Sequence, residues 1–111
     1  MLKQFEFQIR HSLQDSFELL LKSGRDVRSW QTKKADLENG YLEWKQYFWS
    51  FTGGAVIAAR LKETGDNRTS VEISVIKPFQ MFDPLGLCDK IFAKLDRAVK
   101  KNLDNFKSQA G

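Results

Sequence analysis

The chain has 111 residues, of which 41% are hydrophobic and 29% are charged, and its formal net charge is +4. This length suits one domain, so we treat residues 1–111 as a single domain, and the composition excludes a disordered chain. A single cysteine, Cys88, excludes an intrachain disulfide and a thiolate metal cluster. One histidine, His11, and carboxylates without ligand spacing give no reason to expect a metal or a cofactor.

The first two elements are predicted to be a strand and a short helix. From Phe5 to Ile9 apolar and polar residues alternate, which is the period of a half-buried strand. Ser12 is then a suitable N-cap, and apolar residues recur at helical spacing from Leu13 to Leu21. Gly24 is a natural C-terminal stop, so we expect the helix to end there.

Four strands joined by tight turns are predicted for the middle of the chain. Two of them cover 28–37 and 41–49, and Asn39-Gly40 between them is a strong signal for a two-residue hairpin turn. The other two cover 55–62 and 71–76, where apolar and polar residues again alternate.

The last element is predicted to be a long amphipathic helix from Asp83 to about Phe106. Asp83 is a good N-cap, and Pro84 suits the first helical position. Phe82 and Leu87 fall where a hydrophobic staple would form. Apolar residues spaced by three and four form one face, namely Cys88, Ile91, Phe92, Leu95, Ala98, Val99, Leu103 and Phe106. This face is expected to be buried, and Cys88 with it.

The order of these elements, β-α-β-β-β-β-α, predicts the fold class. Consecutive hairpins make an antiparallel sheet, and the two helices are the available cover for its apolar face. We therefore expect an α+β fold in which a sheet of about five strands grips the long C-terminal helix.

This element order, the opening helix SLQDSFELLLKSG and Trp30 soon after it resemble the helix-grip superfamily, the START-related group that includes polyketide cyclase/dehydrase-like and lipid-transport proteins. The resemblance covers essentially the whole chain and rests on element order. Typical members have more strands and a longer connection after the first helix. The resemblance implies that the first strand pairs with 71–76, that 28–37 forms the far edge, and that a cavity lies between sheet and helix.

Aromatic residues are the most informative functional feature of the sequence. Six of them are candidates for the wall of an apolar pocket: Trp30, Trp44, Phe48, Phe79, Phe82 and Phe92. In that interpretation, Tyr hydroxyls or Trp N–H groups would fix the orientation of a ligand. The alternative is that these side chains simply fill the sheet–helix interface, because aromatic residues dominate protein cores.

The leading hypothesis is non-catalytic binding of a small apolar ligand, or a reduced member of the superfamily that acts through protein contacts. A cyclase- or hydrolase-like enzyme of the same superfamily is the alternative. His11 as a general base would need a nucleophile and an orienting partner, and neither can be identified, so no catalytic residue is assigned.

Basic residues support a third hypothesis, a surface that binds nucleic acid or an anionic membrane. They fall into two groups: Lys22, Arg25, Arg28, Lys33 and Lys34, then Lys90, Lys94, Arg97, Lys100 and Lys101. Exposed Trp30 or Trp49 would add to such a surface. Acidic residues interleave and no known nucleic-acid motif is present, so nucleic acid is not the expected partner.

Assembly and location follow from two further patterns. A short sheet leaves an edge strand open, which predicts a homodimer. The sequence contains no apolar run long enough for a transmembrane segment. The N-terminal residues also lack the apolar core of a signal peptide, so a cytoplasmic location is expected.

Overall fold

The computed structural model describes residues 2–46, 54–76 and 87–110. Its strands are β1 (Leu2–Ile9), β2 (Trp30–Asp36), β3 (Tyr41–Gln46), β4 (Ala55–Gly65) and β5 (Arg68–Ile76). Its helices are α1 (Leu13–Asp26) and α2 (Leu87–Ala110). The order β-α-β-β-β-β-α confirms the predicted α+β fold.

The five strands form one antiparallel sheet in the order β1-β5-β4-β3-β2. Strand β1 pairs with β5, with Leu2 opposite Ile76 and Ile9 opposite Thr69. Strand β2 lies at the far edge, where it pairs with β3. Both features confirm the strand arrangement that the resemblance implied.

Helix α1 begins where the sequence predicts but ends later. The Ser12 hydroxyl accepts a hydrogen bond from the Asp15 N–H at 3.2 Å, as an N-cap should. The predicted stop at Gly24 is wrong, because the helix continues to Asp26 and Val27 is the C-cap. Gly24 is buried and packs against Trp44. A glycine is needed here because a side chain would clash with the indole ring, and not because the chain turns at this position.

The β2–β3 hairpin is present, but its turn differs from the predicted one. Asp36 pairs with Tyr41, which leaves residues 37–40 in the loop. Of these loop residues only Gly40 has a left-handed φ, 62°, whereas a two-residue type I′ turn needs two. The Asp36 carboxylate accepts hydrogen bonds from the Asn39 backbone and side chain at 3.2 and 2.7 Å. These bonds lower the pKa of Asp36 and hold the wider turn.

The β4–β5 hairpin extends further than the predicted ranges 55–62 and 71–76. Only Asp66 and Asn67 lie between the two strands, and Asn67 adopts a left-handed φ of 54°. Asparagine tolerates this conformation better than most residues. The strands can therefore remain paired almost to the turn, which makes this the longest hairpin of the described sheet.

The core lies between one face of the sheet and the two helices. Alternate residues of β4 and β5 are buried, as their pattern predicts: Ala55, Ile57, Ala59, Leu61, Val71, Ile73 and Val75. Helix α2 adds Cys88, Ile91, Leu95 and Val99. The buried line then continues to Asn102, whereas Leu103 is half-buried, so a polar residue takes the position where the pattern predicts an apolar one.

The predicted start of the last helix, with Phe82, Asp83 and Pro84, lies outside the described residues. The described helix continues to Ala110, beyond the predicted end at Phe106. No helix in the described ranges is both long enough and apolar enough to cross a lipid bilayer.

Candidate functional site

Two of the candidate aromatic residues lie together at the β2–β3 end of the core. Trp30 is the first residue of β2, and Trp44 lies on the inward face of β3. Their ring centroids are 5.6 Å apart with the ring planes at 36°. Trp44 is fully buried and Trp30 nearly so, which excludes Trp30 from the exposed basic surface proposed above.

Gln46 joins three elements next to this Trp pair. The side chain is completely buried at the end of β3. Its Oε1 accepts hydrogen bonds from Trp30 Nε1 at 3.0 Å and from Lys94 Nζ at 3.2 Å. The amide therefore links β2 and β3 to α2. Sequence reasoning missed Gln46, although the inward alternation through Leu42 and Trp44 extends to this position.

The indole N–H of Trp44 is a buried donor that, within the described structure, has no hydrogen-bond partner. It lies beside Gly24 of α1, where an added Cβ would overlap the indole ring. Nearly all buried polar groups in proteins are paired with protein or ordered water. An unpaired donor at this depth is therefore unusual in a folded protein.

A second buried polar set ties α1 to α2. Asn102 Nδ2 donates to Ser23 Oγ at 3.2 Å and to Asp26 Oδ2 at 2.9 Å. Ser23 in turn donates to the backbone carbonyl of Leu19 at 2.7 Å. Because the Asn102 side chain donates hydrogen bonds to two residues near the end of α1, it fixes that end of α1 against α2. The connection from α1 to β2, which leads to Trp30, is positioned by the same contacts.

A groove of about 550 Å³ opens between this connection and α2. Its lining residues are Asp26, Val27, Arg28, Ser29, Lys94, Arg97 and Ala98. Lys94 lines the groove and also reaches Gln46, so the groove adjoins the Trp pair. Burial lowers the pKa of Lys94, and the positive charge of Arg97 lowers it further. Within the described residues, the groove is thus a cationic surface concavity that reaches the Trp pair only through the Lys94–Gln46 contact.

Phe92 lies on the opposite flank of α2 from the Trp pair. Its ring stacks on Phe5 of β1, with the ring centroids 4.2 Å apart and the ring planes at 2°. The centroid of the Phe7 ring lies 6.1 Å from that of Phe92. Strands β5 and β4 separate β1 from β3 in the sheet, so the structure does not bring Phe92 to Trp30 or Trp44. The other three candidates, Phe48, Phe79 and Phe82, lie outside the described residues, and the six-residue pocket stays a prediction.

A second groove, of about 750 Å³, lies on the outer face of the sheet at the β2–β3 hairpin. Its lining residues are Lys34, Ala35, Asp36, Asn39, Tyr41 and Arg60. The Tyr41 hydroxyl donates to Glu43 at 2.7 Å, and this bond, together with partial burial, raises the pKa of Tyr41. A raised pKa keeps the phenol protonated, so Tyr41 is not prepared to act as a base.

His11 has a structural role at the junction between β1 and α1. Its backbone carbonyl accepts hydrogen bonds from Ser16 Oγ at 3.4 Å and from Thr69 Oγ1 at 3.0 Å. Across the described residues, no group of three His, Cys, Asp or Glu side chains could hold a metal ion.

Comparison with known proteins supports the fold. No protein-family model matches the chain, and no curated protein matches it. An uncharacterised protein from Bacillus thuringiensis is similar in structure, with a TM-score of 0.64 and 13% identity over 89% of this chain and 96% of the other. The Zhui aromatase/cyclase from Streptomyces sp. R1128 has a TM-score of 0.54 and 11% identity over 92% of this chain and 86% of the other.

A third similar structure is Ara h 8.0201, with a TM-score of 0.53 and 9% identity over 94% of this chain and 99% of the other. The chain has a helix-grip fold. At these identities the likeness shows the fold alone, so the activity of a helix-grip relative is not transferred to this chain by the comparison. The function is therefore inferred from the residues of the site.

Proposed function

We propose that this protein binds a small, largely apolar molecule between the sheet and its helices and does not catalyse a reaction on it. The observation that carries the proposal is the fully buried Trp44 indole N–H without an acceptor among the described residues. A carbonyl, ether or hydroxyl oxygen of a ligand would supply that acceptor. Leaving a buried donor unpaired costs about 1–3 kcal/mol, so binding gains from pairing it.

The surroundings of this donor suit an apolar ligand. Trp30 and Trp44 supply aromatic contacts in the interior, and the gain comes from the apolar area that the ligand itself removes from water, roughly 25 cal/mol per Å². The neighbouring polar group, Gln46, already accepts two hydrogen bonds through its Oε1. The Trp44 N–H is therefore the polar anchor, and the rest of the contact is expected to be apolar.

Binding is a better account than catalysis for a chemical reason. A cyclase or hydrolase needs an acid or base that reaches the reacting atoms. The described groups at the Trp pair are two indoles and one amide, and none of them exchanges a proton near neutral pH. Lys94 borders the pair, donates to Gln46 and lines the cationic groove, so we assign it to ligand binding rather than to proton transfer. The aromatase/cyclase neighbour supports the fold, and no base is assigned for the enzymatic alternative.

The structure also separates the basic residues of the third hypothesis. Arg28, Lys94 and Arg97 line the groove beside α2, whereas Lys34 lines the groove on the outer face of the sheet. A nucleic-acid surface requires a continuous basic stripe on one face. Lys34 therefore does not extend the basic groove beside α2, and the small size of that groove favours a small-molecule site over a polyanion surface.

Native mass spectrometry of the purified protein, followed by extraction, tests the proposal. We expect a co-purified small molecule whose removal lowers the melting temperature by mass action. Trp44→Phe removes the unpaired N–H and should weaken rebinding by about tenfold, the equivalent of one hydrogen bond.

Trp30→Phe is the matched control, since the Trp30 N–H is already paired with Gln46 and is not offered to the ligand. It should change rebinding less than Trp44→Phe does. A protein that carries nothing and takes up no small apolar molecule would overturn the proposal. The remaining interpretation would then be a reduced helix-grip protein that acts through protein contacts.

A further inference from the structure

The groove between α2 and the α1–β2 connection carries more positive charge than its own residues neutralise. Arg28, Lys94 and Arg97 all line it, and none of them forms an ion pair with a described residue. The single carboxylate in the lining, Asp26, already accepts a hydrogen bond from Asn102. The groove therefore has three positively charged side chains and one carboxylate, and that carboxylate already accepts a hydrogen bond from Asn102.

We infer that this groove binds the acidic head group of the ligand, a carboxylate held by Arg28, Lys94 and Arg97, while the apolar part contacts the Trp pair. The inference rests on the proposed function, because it assigns the chemical class of the same ligand. It makes the ligand an amphipathic monocarboxylic acid rather than a neutral hydrocarbon.

The position of Lys94 connects the two halves of this site. Its side chain lines the groove, and its Nζ donates to the amide of Gln46, which also holds the Trp30 indole. In this arrangement, the apolar chain of a ligand whose head group lies in the groove would pass beside the Lys94–Gln46 contact to reach the Trp pair. Lys94 has further donors on its ammonium group after the bond to Gln46, so it can contact a carboxylate without losing that bond.

The electrostatics of the groove favour an anion. Arg97 and Lys94 lie close enough for the charge of Arg97 to disfavour protonation of Lys94, in addition to the larger effect of burial. A bound anion would offset both effects. Arg28 and Arg97 add planar guanidinium groups, whose paired donors match the two oxygens of a carboxylate.

Asp26 lines the same groove, but its one negative charge leaves the three cations in excess. A singly or a doubly charged acidic head group is therefore attracted to the groove.

Calorimetric titration with decanoate, decanol and decyl phosphate tests this inference, because the three share one alkyl chain. We expect the wild-type protein to bind decanoate, and decyl phosphate as a second acidic head group, about tenfold more tightly than decanol. Arg97→Gln should weaken decanoate binding by about tenfold and leave decanol binding unchanged within about twofold. Arg97 is exposed, so this variant is expected to fold.

Lys100→Gln is the matched control on the same helix. It removes the same charge, but Lys100 pairs with Asp96 at 3.0 Å and does not line the groove. It should leave both affinities unchanged. Equal binding of decanoate and decanol, or equal losses in the two variants, would overturn the carboxylate site while the apolar site stands. No binding of any of the three probes, with no co-purified molecule, would overturn the proposed function as well.

Discussion

Gly24 of α1 lies directly against the indole ring of Trp44 in β3. A Cβ at residue 24 would overlap both the Nε1 and Cε2 atoms of that ring. Glycine inside a helix is destabilising by roughly 0.5–1 kcal/mol relative to alanine. Here the absence of a side chain lets α1 approach the sheet and cover Trp44, which explains why a glycine is tolerated two residues before the helix ends at Asp26.

The first prediction concerns Gly24→Ala. In an ordinary helix this change would stabilise, but here the added methyl group should lower the free energy of unfolding by about 1–3 kcal/mol through overpacking. Urea unfolding measures the difference. Gly65→Ala is the control, because an added Cβ there meets no atom within 4 Å. An increase in stability for Gly24→Ala would contradict the close contact with Trp44.

The second prediction concerns the buried amide of Gln46. Gln46→Leu removes the acceptor for the Trp30 N–H and should cost about 1–3 kcal/mol, because that buried donor is left unpaired. Adding Trp30→Phe to the Gln46→Leu variant removes the indole N–H that was left without an acceptor. The double-mutant cycle should therefore show a favourable coupling of about 0.5–3 kcal/mol between the two residues in the wild-type protein. Additive losses would mean that the two side chains do not interact.

The third prediction concerns the core side of α2. Leu95 is fully buried, so Leu95→Ala should lower the free energy of unfolding by about 2–5 kcal/mol. Lys94 is unsuitable as a control because it is half-buried and bonded to Gln46. Lys101 is exposed, and Lys101→Ala should have little effect. If thermal unfolding were unchanged in both variants, α2 would not be the helix that completes the core.

The fourth prediction concerns the titration of Lys94, whose neighbours in the groove are Asp26, Arg28 and Arg97. Its pKa in the folded protein is lowered, first by burial and then by Arg97. Folding therefore disfavours the protonated form. The resulting loss of stability is present at neutral pH and is relieved as the pH rises through the lowered pKa.

Carbon-13 NMR of lysine side chains should show Lys94 titrating below the ordinary pKa of a lysine. Arg97→Gln should raise its pKa only in part, because burial is the larger cause. Urea unfolding should show the wild-type protein gaining stability relative to Lys94→Met as the pH becomes alkaline. A normal pKa for Lys94 would contradict its partial burial beside Gln46.

The fifth prediction is the homodimer. β1 and β2 are the two edges of the described sheet. β2 has a register shift between Thr32 and Lys34 and exposes Lys33, and both features protect an edge from pairing. β1 has no such shift, so we expect the dimer to form through β1 at micromolar concentration. Sedimentation equilibrium that gives a constant mass of 12.9 kDa across this range would contradict it.

The sequence by itself determined the order of elements and the sheet. Period-two alternation from Ala55 to Leu61 identified the inward face of β4, and Ser12 identified the start of α1. These features are local, because each depends on residues within one or two turns of chain. The pairing of β1 with β5 was implied by the resemblance to the helix-grip superfamily and not by a local pattern.

The tertiary structure alone decided the site. Gly24 looks like a helix stop in sequence, and only its contact with Trp44, distant in the chain, shows that it is a packing position. Gln46 and Asn102 are polar residues on faces predicted to be apolar, and their burial depends on partners contributed by other elements. Whether a buried polar group is paired is a property of three-dimensional neighbours, so no pattern along the chain reveals that the Trp44 N–H lacks an acceptor in the described structure.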